Sequence, residues 1–425
     1  MLLATVPYCR ELADGLVLRS VANSEDLDRV AGFNGAVHGP EVAGMTRELL
    51  MHHPNTRPEY CLFVEDIATR KVVSSICLVP WTWRYEDVEL KAGEMGIVGT
   101  LEGYRRRGLI RTQVTRHAEL LREGGYDLGH IQGIPYFYRQ FGYEYAIPLE
   151  GGWRFDLHLM PERSVGRQQP AFSMRPATLD DVHTLMRLYD EAAGDLTIHT
   201  VRDEAIWRYL LGPSLRTDTS AETWLIEDAR GAAQGYLRIP KLGFGEGLIV
   251  NEASRLTAPL ATFALSQVRE LARQRSKPYV RICMAAGNTL VSIARHHGAH
   301  SLGTYAWQIA LPDVGRLLWK LAPVLERRVA SSPLAGLTQD VCLSLYRQAY
   351  ALRFQRGRLT AVDPLGSSDR GDIRLPPLLT APLLLGYRCW DELAQAHHDM
   401  SVRDDCRYLV DVLFPKVPSF IYTIY

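Results

Sequence analysis

Residues 16–30, LVLRSVANSEDLDRV, and residues 172–188, FSMRPATLDDVHTLMRL, follow one pattern. Each has a short strand, an arginine (Arg19, Arg175), a polar turn with acidic residues, and a helix start. Self-similarity of this kind constrains the fold strongly, because a repeated supersecondary unit implies two copies of one α/β structure. Asp26 in the first copy and Asp180 or Asp181 in the second fall at or near the helix N-cap. A carboxylate there meets exposed N–H groups and the positive end of the helix dipole.

The 425 residues suffice for two to four domains. A polar stretch at 158–171, carrying Pro161 and Pro170, is the expected join between the copies. A second join falls at 311–335, where Pro312-Asp313 opens a helix carrying Leu317, Leu318, Leu321 and Val324 at helical spacing. The expected division is therefore residues 1–160, 170–311 and 312–425.

Within the first copy, residues 61–65, 71–85 and 88–100 are rich in Val, Ile, Leu and Trp between turn residues, and read as strands. A helix is expected from Leu109 to Glu123, with Ile110, Val114, Ala118 and Leu121 on its apolar face and Gly124-Gly125 ending it. A strand over 126–132 and a short helix over 136–141, opened by Pro135, follow. The segment VGTLEGYRRRGLIRTQV, residues 98–114, thus places a basic, glycine-containing turn between a strand and a helix. Such a junction aims several backbone N–H groups and the helix dipole at one point, and the arginines add formal charge. Together these features suit a pyrophosphate.

The string Arg105-Arg106-Arg107-Gly108-Leu109-Ile110 resembles the R-x-x-G-x-(G/A) acyl-CoA loop of the GNAT superfamily of N-acetyltransferases, with Ile110 departing from the last position. YRRRGLIR followed by FYRQFGYEYA is similar to the enhanced-intracellular-survival subgroup. LLLGYRCWDELAQ and VLFPK resemble that subgroup's third domain more loosely. The resemblance implies an α/β (α+β) chain: a catalytic GNAT unit, a degenerate second GNAT unit and a C-terminal sterol-carrier-like domain. It also implies acetyl-CoA as cosubstrate, with Val98, Gly99 and Thr100 along the pantetheine arm and Arg105, Arg106, Arg107, Gly108, Leu109 and Ile110 around the pyrophosphate. The Val98 amide would hold the oxyanion, Tyr138 would be the general acid, and the carboxylate of Tyr425 would be the base. The second copy reads EASRLTAPLATFALSQVRELARQ where the basic loop should stand, so it is expected to bind no CoA and to shape the acceptor pocket. The acceptor would be a primary amine of a small molecule, peptide or lysine, and related proteins often form rings of subunits.

Other chemistries find little support. The 48 Lys and Arg balance the 48 Asp and Glu, so there is no overall field to draw nucleic acid or an anionic membrane. The seven scattered cysteines form no C-x-x-C pair, which argues against a disulfide framework or metal site and for a reduced, cytoplasmic setting. No segment reads as a signal peptide or a membrane span. The adjacent pairs His52-His53, His296-His297 and His397-His398 are poor chelates, since neighbouring side chains diverge. Trp81 and Trp83 share a strand face and are expected to pack the core, with the lining of an acceptor pocket as the alternative, whereas Glu94 is expected on solvated surface, with a cationic acceptor as its alternative partner. The rival readings are a non-catalytic binding protein with an apolar ligand in its third unit, and a transferase using another acyl-CoA.

Overall fold

The computed structural model describes residues 7–149, 151–162, 171–243, 245–367 and 371–425. Most of the 158–171 join, residues 163–170, lies outside them.

The first segment contains β1 (Cys9–Glu11), β2 (Leu16–Ser20), α1 (Ser24–His38), α2 (Pro40–His52), β3 (Cys61–Asp66), β4 (Lys71–Tyr85), β5 (Val88–Thr100), α3 (Leu109–Glu123), β6 (Leu128–Ile131), β7 (Glu144–Pro148) and β8 (Trp153–Asp156). The second contains β9 (Phe172–Pro176), α4 (Val182–Ala193), β10 (Ile198–Thr200), α5 (Glu204–Leu211), β11 (Ala221–Asp228), β12 (Ala233–Pro240), β13 (Leu248–Val250), β14 (Glu252–Ala253), α6 (Ala258–Gln274), β15 (Tyr279–Ile282), α7 (Thr289–His296), β16 (His300–Ser301) and β17 (Ala306–Ala310). The third contains α8 (Val314–Lys320), α9 (Ala322–Ala330), β18 (Gln339–Ser344), β19 (Ala349–Gln355), β20 (Arg358–Gly366), β21 (Ile373–Arg374), α10 (Thr380–Leu384), α11 (Trp390–Ala396), β22 (Ser401–Val402) and α12 (Asp404–Leu413). The chain is a mixed α/β protein whose sheets are flanked by helices.

The repeat is visible in side-chain geometry. Arg19 binds Asp26 at 2.7 Å and Glu65 at 2.9 Å, while Arg175 binds Asp181 at 2.8 Å and Glu227 at 2.9 Å. In both copies one guanidinium on the first strand ties the following helix start to the neighbouring strand. The carboxylates lie at or near the caps, as expected: Asp181 is itself the N-cap of α4, and Asp26 lies in the first turn of α1. Asn23 caps α1, and Thr178 forms a capping box with Asp181. Asp26 and Asp181 sit three residues into their turns, where a carboxylate reaches both the arginine and a backbone N–H.

The largest sheet runs β1-β2-β3-β4-β5-β6-β17-β7, with β10 pairing on β4. Its seventh strand comes from the second segment: β17 lies antiparallel between β6 and β7. The loan is returned. In the second segment's sheet, β13-β15-β8-β16, strand β8 of the first segment lies antiparallel between β15 and β16. The remaining sheets are β14-β12-β11-β9 and, in the third segment, β20-β19-β18-β21-β22. Asp313 caps α8 through the Arg316 N–H, and Pro323, lacking a backbone donor, starts α9 anew. Leu317, Leu318, Leu321 and Val324 are all buried, and one apolar cluster runs through all three segments from Val21 to Ile424.

Helix α3 spans the expected residues, but its buried face is rotated toward Leu109, Gln113, Val114, His117 and Leu121. Gln113 turns inward because Ser74 Oγ donates to its Oε1 at 2.6 Å, satisfying a polar atom at no cost in burial. Among the described residues no helix is long and apolar enough to cross a membrane.

The exchange makes neither of the first two segments complete alone. A fragment of residues 1–160 lacks β17 and leaves the facing edges of β6 and β7 unpaired. It should show no cooperative thermal transition by circular dichroism, whereas co-expression with residues 161–425 should recover one. A well-folded isolated fragment would contradict the exchange.

Candidate active site

Strands β5 and β6 are parallel and pair over only three positions, Ala92–Glu94 with Leu128–His130. Beyond Glu94 the strands part. The register of β5 on β4 shifts between Ser75 and Cys77, and Ile97 takes a left-handed φ of +49°. This bulge turns β5 away from β6, so the edge from Met95 to Thr100 has no strand partner on that side among the described residues. Val98 and Thr100 lie half-buried along it. Gly99 is buried under α1, where an added Cβ would stand 3.0 Å from both His38 Nε2 and Val37 Cγ1.

The edge leads into the turn Leu101–Gly108. Arg105, Arg106, Arg107 and Gly108 are all exposed. Tyr104 anchors the turn by donating to Asp66 at 2.5 Å, and the Arg107 guanidinium stacks 4.9 Å above the Tyr104 ring. Arg105 and Arg106 make no ion pair among the described residues. Arg106 and Gly108 both take left-handed φ, +64° and +75°. Gly108 is the N-cap of α3 and brings no side chain to its first-turn N–H groups, and that turn has no acidic residue. The orphan donors, the dipole and three arginines therefore face one exposed place, which can bind a di-anion. Leu109 is buried and Ile110 half-buried against the core behind this turn.

Tyr138 lies across the gap, in the short 3-10 helix Phe137–Phe141. That helix starts one residue later than the sequence suggests, because Tyr136 takes a left-handed φ of +67°. The Tyr138 ring is boxed by Phe137, Phe141 and Tyr143 and lies flat on Gly133, where a Cβ would come within 2.3 Å. Burial, then the neighbouring Tyr305 hydroxyl, pushes its phenol up to about 12. Tyr305 comes from the loaned end of the second segment. It donates to the Gly133 carbonyl, as does Gln308 at 3.2 Å. A cleft of about 1130 Å³ opens beside this segment, lined by Tyr136, Arg139, Tyr145, Tyr305, Tyr387 and Arg388.

Glu94, at the fork of the strands, is 3 % exposed and not on solvated surface. Its position on β5 continues the buried alternation Leu90, Ala92, Glu94, a periodicity that would have located it. Trp81 Nε1 donates to one of its oxygens at 3.0 Å and the Tyr425 hydroxyl to the other at 2.8 Å. Burial pushes its carboxyl up to about 7, against the pull of these two donors. His130, its cross-strand neighbour, sits among Trp81, Trp83 and Trp307 at 4.6–5.0 Å, and burial, then His117, drives its pKa well down. Burial also lowers His117, on α3, to about 4. Both imidazoles are neutral near pH 7. Sequence reasoning passed over them because single histidines inside apolar elements carry no spacing signal. Trp81 and Trp83 are fully buried, as expected, and Trp81 has in addition a partner in Glu94. Tyr138 is buried in the cluster that holds Met95 and Ile131, whereas Tyr425 is half-buried against the neighbouring cluster, with its phenol on Glu94.

Among the described residues there is no cluster of three or more metal-ligating side chains. All seven cysteines are free thiols.

A fork after a short parallel pair, a bulged strand and a helix start without a side-chain cap are thus brought together in one segment. Residues 21–146 match the family model of the acetyltransferase (GNAT) domain, so the chain carries a GNAT domain. That span stops short of β17, the borrowed strand that completes its sheet. The whole chain is similar in fold to a GCN5-related N-acetyltransferase from Anabaena variabilis, with TM-score 0.66 and 15% identity over 96% of this chain and 99% of that one. It is also similar to a conserved Enterococcus faecalis protein described as a probable N-acyltransferase, with TM-score 0.68 and 13% identity over 99% and 100%. Eis1 from Mycobacterium abscessus aligns with TM-score 0.62 and 15% identity over 96% and 100%. Against curated proteins the sequence finds no match.

The raised Glu94 pKa has a stability consequence with a definite sign. Between about 4.5 and 7 the folded state keeps a proton that the unfolded state releases. Stability from this group is therefore lost as pH rises through that window. The gap corresponds to about 3 kcal/mol. Glu94→Gln should remove that slope, so the loss of stability between pH 5 and pH 8 in urea denaturation should shrink by about that amount. An unchanged difference would show that Glu94 titrates as an ordinary surface carboxyl.

Proposed function

We propose that this chain is an N-acyltransferase that moves the acetyl group of acetyl-CoA to a primary amine of a small molecule, peptide or lysine, in a cytoplasmic setting. The observation that carries the reading is the open fork of β5 and β6, leading to an exposed, uncapped and triply basic helix start. Residues 1–160 are the catalytic GNAT unit in this reading, 170–311 a degenerate GNAT-like unit and 312–425 a sterol-carrier-like unit, with β8 and β17 exchanged between the first two.

The thioester supplies an activated acyl carbonyl, and this chain's residues bind, orient and move protons around it. Val98 and Thr100, on the unpaired edge of β5, offer backbone groups to the pantetheine arm as an added strand would, with Gly99 between them. Arg105, Arg106 and Arg107 with the first-turn amides from Gly108 to Ile110 hold the pyrophosphate. The Val98 amide faces the developing oxyanion. Tyr138, with its phenol raised to about 12, stays protonated across the physiological range and donates to the leaving sulfur.

A lysine-like amine must first lose a proton, at a cost of about 4–5 kcal/mol at pH 7. In this reading the base is the carboxylate of Tyr425, a residue whose side chain is anchored through its phenol to Glu94.

Two measurements test this. Arg105→Ala should weaken acetyl-CoA binding in calorimetry about tenfold, the loss of one charge-assisted contact, and Gly108→Glu at least 100-fold, because it adds like charge at the phosphate site. Unchanged affinity in both variants rules out the loop as the CoA site. Tyr138→Phe should lower kcat about 10²- to 10⁴-fold with little change in the KM for acetyl-CoA; a parental kcat would remove Tyr138 from the mechanism.

A further inference from the structure

After α12 the chain turns back through the middle of the molecule. Segment 417–425 runs beside residues 197–202 of the second segment. The Thr197 N–H donates to the Pro418 carbonyl at 2.7 Å, and the Phe420 N–H to the Ile198 carbonyl at 3.1 Å, with Ile198 and Ser419 in parallel register. Thr200 Oγ1 donates to the Tyr422 carbonyl at 2.8 Å, and Arg202 Nη2 to the Thr423 carbonyl at 2.5 Å. The segment is thus an added strand beside β10, which itself pairs on β4.

Arg202 is no ordinary surface partner. Its side chain has no exposure, and both its terminal nitrogens bind Glu252, also buried, at 2.6 Å. Tyr236 donates to the same carboxylate at 2.7 Å, and the guanidinium stacks on Tyr189 and Trp207. Both terminal nitrogens of that fork are thus held on Glu252, and Nη2 also reaches the Thr423 carbonyl.

The second segment's own strand fork explains the room for this. Parallel β13 and β15 also pair over three positions and then part. Residues Ala253, Met284 and Asn288 line the opening, and Ser419, Phe420 and Tyr422 form its other wall. The place that the first copy keeps open is here a cavity of about 510 Å³, walled on one side by the chain's own C-terminal segment.

We infer that the second GNAT-like unit is a clamp for segment 417–425, and that Thr200 and Arg202 are positioning residues that set the strand register delivering Tyr425 to Glu94. A slip of one residue along β10 moves Tyr425 by about 3.3 Å and turns it to the other face, which breaks its 2.8 Å bond to Glu94. The effect of the clamp on turnover rests on the acyltransferase reading of the Glu94 site; the clamp itself does not.

The test uses the full chain and two variants, read by hydrogen exchange of the 417–425 amides and by steady-state kinetics with acetyl-CoA. Thr200→Val removes one hydrogen bond at constant shape and should speed exchange of these amides about fivefold. Arg202→Lys keeps the charge but lacks the planar fork needed for Glu252 and Thr423 together, and should speed it about 100-fold. Amides of β18–β20 should exchange at the parental rate. The kcat should fall in the same order, with the KM for acetyl-CoA changed less than twofold. Parental exchange of segment 417–425 in both variants overturns the clamp. Acceleration spread equally over β18–β20 overturns it as well, since the effect is then general loosening. Faster local exchange with parental kcat overturns the positioning role. If the parent transfers no acyl group to any amine, the exchange measurement still decides the clamp, so the two readings fail separately.

Discussion

Everything at the centre of this molecule follows from one short parallel strand pair. Parallel pairing of β5 with β6 lasts three residues and then stops, because the bulge at Ile97 redirects β5. A parallel ladder left unfinished inside a protein exposes backbone donors and acceptors that need partners. On one side of the gap, the β5 edge leads to the basic turn. At its apex stands Glu94, and across it lies Tyr138. Backbone geometry therefore creates both an unpaired strand edge and the fork at its end, the two features on which the proposed acyltransferase reading rests.

The buried carboxylate at that apex has two hydrogen-bond donors, Trp81 and Tyr425, within an aromatic surround drawn from remote parts of the chain. Trp81 comes from β4, His130 from β6, Trp307 from the exchanged strand, and Tyr425 from a segment more than 300 residues away in sequence. Two donors satisfy the carboxylate oxygens, and burial still raises its pKa. Such a group holds or releases a proton near neutral pH in response to small changes in its surroundings. Reciprocal loan of β8 and β17 serves the same end. It locks the first two segments together, so that residues from both meet at one point with fixed geometry.

Legibility in the sequence followed the range of the interactions. The basic turn and α3 were readable because strand, glycine and helix start are neighbours in the chain, and Leu109–Glu123 fell as expected. Arg19 and Arg175 marked the repeat correctly, since each recurs with its acidic partner six or seven residues on. The phase of α3 was misjudged because Gln113 and His117 look like surface residues until Ser74 and the core around Glu94 are brought next to them. Glu94 was misplaced for the same reason: charge outweighed the alternation Leu90, Ala92, Glu94. The exchange had no local trace at all, because β17 is an ordinary apolar strand whose partners are chosen by tertiary contact.

The strand loan has a consequence for how the protein is made. When β6 and β7 leave the ribosome, the strand that belongs between them is about 160 residues from being synthesised. At 5–20 residues per second the gap stays open for roughly 8–30 s. During that interval two strand edges are bare and can pair with the wrong partner, including the same strands of a neighbouring nascent chain. Synthesis speed and chaperone shelter over this interval, rather than the stability of the finished molecule, set how much of the chain reaches its native topology.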